Sequence, residues 1–143
     1  MKTSKQEKYD RAYLRMALEW AKLSHCKKKK VGALIVKNRM IISDGYNGTP
    51  TGFGNCCEDQ DGKTYWYVLH AEANAILKTA GSTHNCNEAT LYLTMSPCRD
   101  CSKLVYQSGI KRVVYINTYK DTTGIKFLIE AGVEVLEFDS RKI

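Results

Sequence analysis

The sequence predicts an α/β protein with a mixed five-stranded sheet covered by helices. Two Val- and Ile-rich segments near the start are separated by only Asn38 and Arg39, which predicts an antiparallel hairpin. From Ala89 onward, strand-like segments alternate with helical ones, which predicts parallel pairing through crossover helices. A length of 143 residues suits one domain that spans 1–143.

The individual elements follow from periodicity and from turn residues. Apolar side chains at spacings of four and three predict one face of a first helix, formed by Tyr9, Tyr13, Met16, Trp20 and Leu23. The Gly- and Asp-rich stretch 49–62 is typical of a long loop. We predict strands over 31–37, 40–46, 89–94, 112–116 and 133–138, and helices over 70–80, over 98–108 and from a cap at Asp121 to Gly132.

The charge balance favours anionic partners. The net charge is +7, which suits nucleotides, nucleic acid or acidic surfaces. Its densest cluster is the lysine run 27–30. Two interpretations of this run stay open, a solvated turn and a site that attracts phosphate.

The sequence points to a cytoplasmic protein that makes no contact with a membrane. Residues 1–10 are polar and lack the apolar segment of a secretory signal, and no apolar stretch is long enough to span a bilayer. In a reducing cytosol, we expect the six cysteines to be metal ligands or buried thiols rather than disulfides.

Two short motifs carry the chemistry. His70-Ala71-Glu72 and Pro97-Cys98-Arg99-Asp100-Cys101 match the H-x-E…P-C-x-x-C signature of zinc deaminases. Zinc prefers nitrogen and thiolate ligands, and three protein ligands leave one position for water. Cys98 and Cys101 are three residues apart, so at a helix start they lie on one face. By itself, a C-x-x-C pair is equally typical of a redox pair or a structural zinc knuckle.

Glu72 is the candidate proton carrier. Zinc lowers the pKa of bound water to about 7, and a neighbouring carboxylate can accept a proton and later donate it. We therefore predict hydrolytic removal of an amino group, with His70, Cys98 and Cys101 holding the metal and Glu72 acting as the catalytic residue.

Three runs resemble the cytidine and deoxycytidylate deaminase superfamily: Gly-Tyr-Asn-Gly-Thr-Pro at 45–50, His-Ala-Glu-Ala-Asn-Ala-Ile at 70–76 and Ser-Pro-Cys-Arg-Asp-Cys at 96–101. The resemblance spans nearly the whole chain and implies a three-layer α/β/α sandwich. It also implies that dCMP and water yield dUMP and ammonia, in support of thymidylate synthesis. The substrate contacts it implies are Asn47, Gly48, Ala71 and Ser96, with the backbone near Gly48 and Gly52 at the phosphate.

The same resemblance implies an assembly and its control. It implies a homo-oligomer, with a hexamer favoured, whose activity responds to dCTP and dTTP, with Mg²⁺ accompanying the effector and Lys29 and Lys30 assisting. A second, structural zinc would use Cys26 and Cys56. The approach to His70 over 64–69 contains no histidine or acid, so we expect one catalytic zinc.

Two alternatives remain at the level of sequence. A zinc deaminase that acts on adenosine in tRNA would also suit the +7 charge. A nonenzymatic zinc module that binds nucleic acid would need a fourth protein ligand and would leave Glu72 without a role. Nucleic acid is the less favoured partner, because the Gly-Tyr-Asn-Gly-Thr-Pro run points to a mononucleotide.

Overall fold

One mixed sheet organises the chain, and the computed structural model describes it over residues 4–143. Residues 1–3, the start of the polar stretch 1–10, lie outside the described residues. The elements in chain order are α1 Ser4–Ala21, β1 Gly32–Lys37, β2 Met40–Tyr46, α2 Ala71–Thr79, β3 Thr90–Met95, α3 Arg99–Gln107, β4 Arg112–Asn117, α4 Thr123–Glu130, β5 Glu134–Glu137 and a 3₁₀ turn Ser140–Lys142. Over the described residues, no helix is both long and apolar enough to cross a membrane.

The strand order is β2-β1-β3-β4-β5. β1 pairs antiparallel with β2 and with β3, whereas β3–β4 and β4–β5 are parallel. The predicted hairpin and the predicted parallel crossovers are therefore confirmed, with each strand end within one residue of its prediction. The start of β1 and the ends of β2, β3 and β4 consequently lie at the same edge of the sheet.

The helices form one layer on each face of the sheet, which confirms the sandwich. Helix α1 packs alone on a cluster that includes Leu34, Tyr92 and Val114. The other face, with Ile35 and Leu91, packs against residues of α2, α3 and α4. Successive strand residues point to opposite faces, so strands with continuous apolar sequences can feed both cores.

The predicted apolar face of α1 is wrong in part. Tyr13 is buried, but Met16 and Leu23 are exposed, and Leu23 lies beyond the end of the helix. The buried stripe instead consists of Asp10, Tyr13, Leu14, Ala17 and Ala21. Small alanines let the helix backbone approach the sheet closely, which counting only large apolar residues does not reveal.

The N-cap of the fourth helix lies one residue later than predicted. Thr122 occupies the N-cap position, while the carboxylate of Asp121 accepts hydrogen bonds from the backbone nitrogen and the hydroxyl of Thr123. Asp121 therefore stabilises the turn before the helix rather than capping it. The helix ends before Gly132, whose φ of 91° suits glycine.

Two glycines set the distance between the sheet and its helices. A Cβ on Gly32 would lie 2.7 Å from the nitrogen of Ala21 in α1. A Cβ on Gly45 would lie 2.6 Å from the oxygen of Ala71 in α2. The two glycines are on neighbouring strands, so helices on opposite faces approach the sheet most closely at the same edge.

A buried ion pair ties α1 to β4. The guanidinium of Arg112 donates to both carboxylate oxygens of Asp10, at 2.8 and 2.7 Å, and the Tyr92 hydroxyl donates to Asp10 at 2.7 Å. Burial alone raises the pKa of the Asp10 carboxyl, but the hydrogen bonds from Arg112 and Tyr92 bring the pKa below its usual value. Arg112 also donates to Glu134 on β5, so one guanidinium links three elements.

We predict that Asp10→Asn lowers the free energy of unfolding by about 3–5 kcal/mol, because it removes the buried carboxylate that pairs with Arg112 and leaves that charge with only the more exposed Glu134 as its partner. The folded pKa of Asp10 is depressed, so its contribution is present above the unfolded value of 3.8 and is lost as pH falls through the folded pKa. Urea unfolding between pH 6 and 3 measures both effects. The exposed-loop variant Asp61→Asn should change stability by less than about 0.5 kcal/mol, and equal losses in the two variants would contradict the role of the pair.

Candidate metal centre

The first half of the site is the start of α2. His70 is the N-cap residue, with extended backbone angles of φ −73° and ψ 157°. Its side chain is exposed, whereas Ala71 and Glu72, the next two residues, are buried. The backbone turns at His70 from the long loop into the helix. The imidazole of His70 therefore lies at the protein surface, whereas the carboxyl group of Glu72 lies in the protein interior.

The second half is the start of α3, directly after β3. Cys98 is the N-cap residue, and its sulfur accepts a hydrogen bond from the backbone nitrogen of Cys101 at 3.4 Å. Free backbone N–H groups and the helix dipole at such a terminus favour a thiolate. The fully buried Pro97 fixes the chain as it enters this turn.

The two helix starts bring the three predicted ligands together. The Nδ1 atom of His70 lies 3.5 Å from the sulfur of Cys98 and 3.4 Å from that of Cys101. In a tetrahedral zinc site, bonds of roughly 2.3 Å to sulfur and 2.0 Å to nitrogen place those two atoms about 3.5 Å apart. The nitrogen–sulfur donor set and its spacing therefore fit zinc. Within residues 4–143, this is the one cluster of three or more His, Cys, Asp or Glu side chains with metal-binding spacing.

The protonation of the cluster is uneven. A hydrogen bond from the Cys101 thiol lowers the pKa of Cys98, and the same contact raises the pKa of Cys101. Hydrogen bonding to Cys98 also raises the pKa of His70. Cys98 is therefore the cysteine of the cluster that ionises more readily, and its thiolate can bind a cation.

Glu72 is the buried acid of the site. Burial raises the pKa of its carboxyl group to about 7, although its own backbone amide and His70 favour the ionised form. A carboxyl group with this pKa can both accept and release a proton near neutrality. The position and the pKa of Glu72 agree with the predicted role as a proton carrier, which stays a prediction.

A cavity of about 500 Å³ opens above the cluster. His70, Glu72 and Cys98 line it, and so do the predicted substrate residues Asn47, Ala71 and Ser96. The structure does not bring Gly48 to this lining: its N–H donates to the oxygen of Leu69 at 3.0 Å, and it accepts from the nitrogen of Leu69 in return. The backbone N–H of Gly48 is therefore already committed, and Gly52 lies exposed in the loop beyond it.

Asn47 and Ser96 have structural contacts of their own. Asn47 accepts a hydrogen bond from the nitrogen of Val31 at 2.9 Å and donates to the oxygen of Lys29 at 2.8 Å. Ser96 accepts from the nitrogen of Tyr119 at 2.7 Å. Both side chains therefore fasten backbone segments around the cavity, whatever contact each makes with a substrate.

Several cavity residues were missed by the motif analysis: Glu58, Thr64, Val68, Met95, Tyr119 and Lys120. A signal existed for two of them. Tyr119 and Lys120 follow β4 just as Cys98 follows β3, and parallel neighbouring strands end at one edge of a sheet. No comparable pattern marks Glu58, which comes from the long loop.

The cysteine prediction was wrong for one pair. Cys26 and Cys57 form a disulfide, because the segment before β1 and the long loop bring their Cα atoms to 5.1 Å. Cys56, the other predicted ligand of a second zinc, instead donates to the oxygen of Glu58 at 3.1 Å. The structure therefore does not bring Cys26 and Cys56 together as ligands. Cys86 is a buried free thiol, as expected.

The fold and the cluster together define a candidate zinc-dependent hydrolytic site, in which a buried carboxyl group stands beside three metal-ligating side chains at a cavity. Residues 7–117 match the family model described as the cytidine and deoxycytidylate deaminase zinc-binding region. The chain belongs to the cytidine and deoxycytidylate deaminase family, which confirms the resemblance seen in its motifs.

Relatives with known names agree with this family. The chain is 38% identical to the deoxycytidylate deaminase of Saccharomyces cerevisiae over 140 residues, which cover 91% of this chain and 45% of the yeast protein. It is 36% identical to that of Enterobacteria phage T4, with 84% of each chain covered. A crystal structure of the cyanophage S-TIM5 dCMP deaminase in complex with dCMP and dUMP is 47% identical and superposes with a TM-score of 0.89, covering 96% of this chain and 99% of that one.

We predict that the purified chain binds one zinc ion and that Cys101→Ala loses it, because two remaining ligands hold zinc weakly. Elemental analysis after dialysis gives the zinc content per chain. Cys56→Ser, which alters an exposed cysteine outside the cluster, should keep the full complement. Two zinc ions in the wild type, one of them lost in Cys56→Ser, would contradict the single site.

Proposed function

We propose that this chain is a zinc-dependent deaminase that converts dCMP and water into dUMP and ammonia. One observation carries the proposal: the imidazole of His70 and the thiols of Cys98 and Cys101 meet beside the buried Glu72, and His70, Glu72 and Cys98 line one cavity. A metal with three protein ligands and a neighbouring acid is suited to hydrolysis rather than to a closed structural role.

The substrate is supported by similarity and by the cavity. The cyanophage protein, which shares the fold at 47% identity, was crystallised with dCMP and dUMP. The cavity of about 500 Å³ falls within the usual range for small-molecule sites, roughly 300–1,000 Å³. Lys28, Lys29 and Lys120 give its wall a positive charge, which suits a phosphorylated ligand.

His70, Cys98 and Cys101 would hold the zinc, which supplies a Lewis acid that makes water a better nucleophile near neutral pH. The attack forms a C–O bond at C4 of the cytosine ring, and the C4–N bond to the amino group then breaks. The starts of α2 and α3 fix the three ligands, so the chain needs little rearrangement to bind the ion.

Glu72 would move the protons. Its carboxylate accepts a proton from the attacking water, delivers one to N3 of the ring and assists the departure of the amino group as ammonia. Burial keeps the pKa of Glu72 at about 7, so acceptance and release differ little in free energy at neutral pH. Its place on the first turn of α2 keeps the carboxyl group beside the ligands without its binding the metal.

The proposal includes one zinc and one catalytic domain over residues 1–143. The Cys26–Cys57 disulfide and the separate contact of Cys56 support a single metal. A single sheet positions both halves of the site, which supports a single domain. Action in the cytoplasm stays a prediction.

We further propose a homo-oligomer, with a hexamer favoured, that responds to dCTP and dTTP together with Mg²⁺. The support in this chain is the set of large apolar side chains exposed on the helices of one layer: Leu77, Leu104, Tyr106, Phe127 and Ile129. The effectors and Mg²⁺ rest on family resemblance alone. Sedimentation with and without these nucleotides would test both parts of this proposal.

We predict that Glu72→Ala retains fold and zinc but loses at least about 10²-fold in kcat for dCMP, because it removes the carboxyl group that lies beside the metal ligands. Ammonia release, zinc content and circular dichroism are measured on the same sample. Glu130→Ala, which removes an exposed carboxylate at the end of α4, serves as the matched control. Full activity of Glu72→Ala would disprove the mechanism, and wild-type turnover of adenosine in tRNA alone would disprove the substrate.

A further inference from the structure

A buried carboxylate fixes the backbone of the basic segment before β1. Oε2 of Glu58 accepts hydrogen bonds from the backbone nitrogens of Lys27 and Lys28, at 3.0 and 3.2 Å. Glu58 is only 8% exposed, and its other oxygen is buried with no hydrogen-bond partner among the described residues. Burying a polar oxygen without a hydrogen-bond partner costs folding free energy. A role in function, beyond packing of the loop, would explain why Glu58 is placed there.

Further contacts hold the same segment from its two ends. The Cys26–Cys57 disulfide joins the residues directly before Lys27 and Glu58. Asn47 bonds the oxygen of Lys29 and the nitrogen of Val31. The backbone between Cys26 and Val31 is therefore anchored at nearly every residue, although it belongs to no helix or strand.

The lysine side chains of this anchored segment have different surroundings. Lys28 and Lys29 line the cavity, and the ammonium of Lys29 lies 4.6 Å from the centre of the Tyr119 ring. Lys120 adds a third cation from the segment after β4. Lys30 instead donates to the oxygen of Ser24, and the side chain of Lys27 is exposed and is not part of the lining.

We infer that Glu58 is a positioning residue for substrate specificity: by bonding the backbone of Lys27 and Lys28, it directs Lys28 and Lys29, together with Lys120, against the phosphate of the nucleotide. The inference rests on the proposed function, because it assigns the phosphate of the proposed substrate to this basic wall. It replaces the phosphate site predicted at the backbone of Gly48 and Gly52.

The physical argument is preorganisation. A lysine loses rotamer and backbone entropy when it fixes a phosphate, and an anchored backbone lowers that cost before binding. Removing the acceptor oxygens of Glu58 should free the segment without altering the contacts of the base or the metal ligands. The substitution should therefore weaken the binding of a ligand that carries a phosphate and leave the binding of the corresponding nucleoside unchanged.

The test compares binding of dUMP and deoxyuridine to the zinc-loaded protein by calorimetry, alongside kcat and KM for dCMP. We expect Glu58→Met, Lys28→Ala and Lys29→Ala each to raise the Kd of dUMP about tenfold, the usual order for one charged hydrogen bond. The Kd of deoxyuridine and the kcat for dCMP should change by less than about twofold.

Lys27→Ala is the matched control, since it removes the same charge from the same segment but keeps the backbone N–H that Glu58 bonds. It should leave the Kd of dUMP within about twofold of the wild type. The inference is overturned if Lys28→Ala and Lys29→Ala behave like Lys27→Ala. It is equally overturned if Glu58→Met binds dUMP as the wild type does, or loses both ligands alike, including through loss of the fold.

The result separates this inference from the proposed function. A wild-type protein that deaminates dCMP but binds dUMP and deoxyuridine equally well overturns the phosphate site and leaves the reaction standing. A wild-type protein that binds neither ligand and turns over no cytosine compound overturns the proposed function, and the inference with it.

Discussion

The whole site depends on two short helices that begin at the same edge of one sheet. Helix α2 presents His70 and Glu72, and α3 presents Cys98 and Cys101, although the two motifs are separated by a complete strand and its connections. Both helices pack on the same face of the sheet through small and branched side chains. The hydrophobic core thus determines a distance between polar atoms that no local interaction could set by itself.

The same edge separates two kinds of charge. Cys98 and the buried Glu72 line the cavity from the starts of α3 and α2, and the three lysines come from the segments before β1 and after β4. This arrangement places cations where a phosphate can meet them and leaves Glu72 in a poorly solvated position that raises its pKa to about 7. One cavity can therefore provide strong anion binding and a nearly neutral proton carrier without either cancelling the other.

The sequence was sufficient for most of the architecture and for the three candidate ligands. Alternating strands and helices have strong signals, and His-x-Glu with Pro-Cys-x-x-Cys has a spacing that few other structures need. The remaining features required contacts between distant residues. Asp10 and Arg112 pair across 102 positions, and Cys26 meets Cys57 only because Glu58 and its loop fold back onto the segment before β1.

The close approach at Gly32 and Gly45 also determines which parts of the molecule can adapt. On either side of the sheet, a helix backbone already touches a strand at the edge where a ligand enters. Neither helix has room to move inward, and outward movement would open the packed core. We expect accommodation of different ligands to occur in the rim of connecting segments, residues 48–69 and 118–122, around a frame that stays rigid.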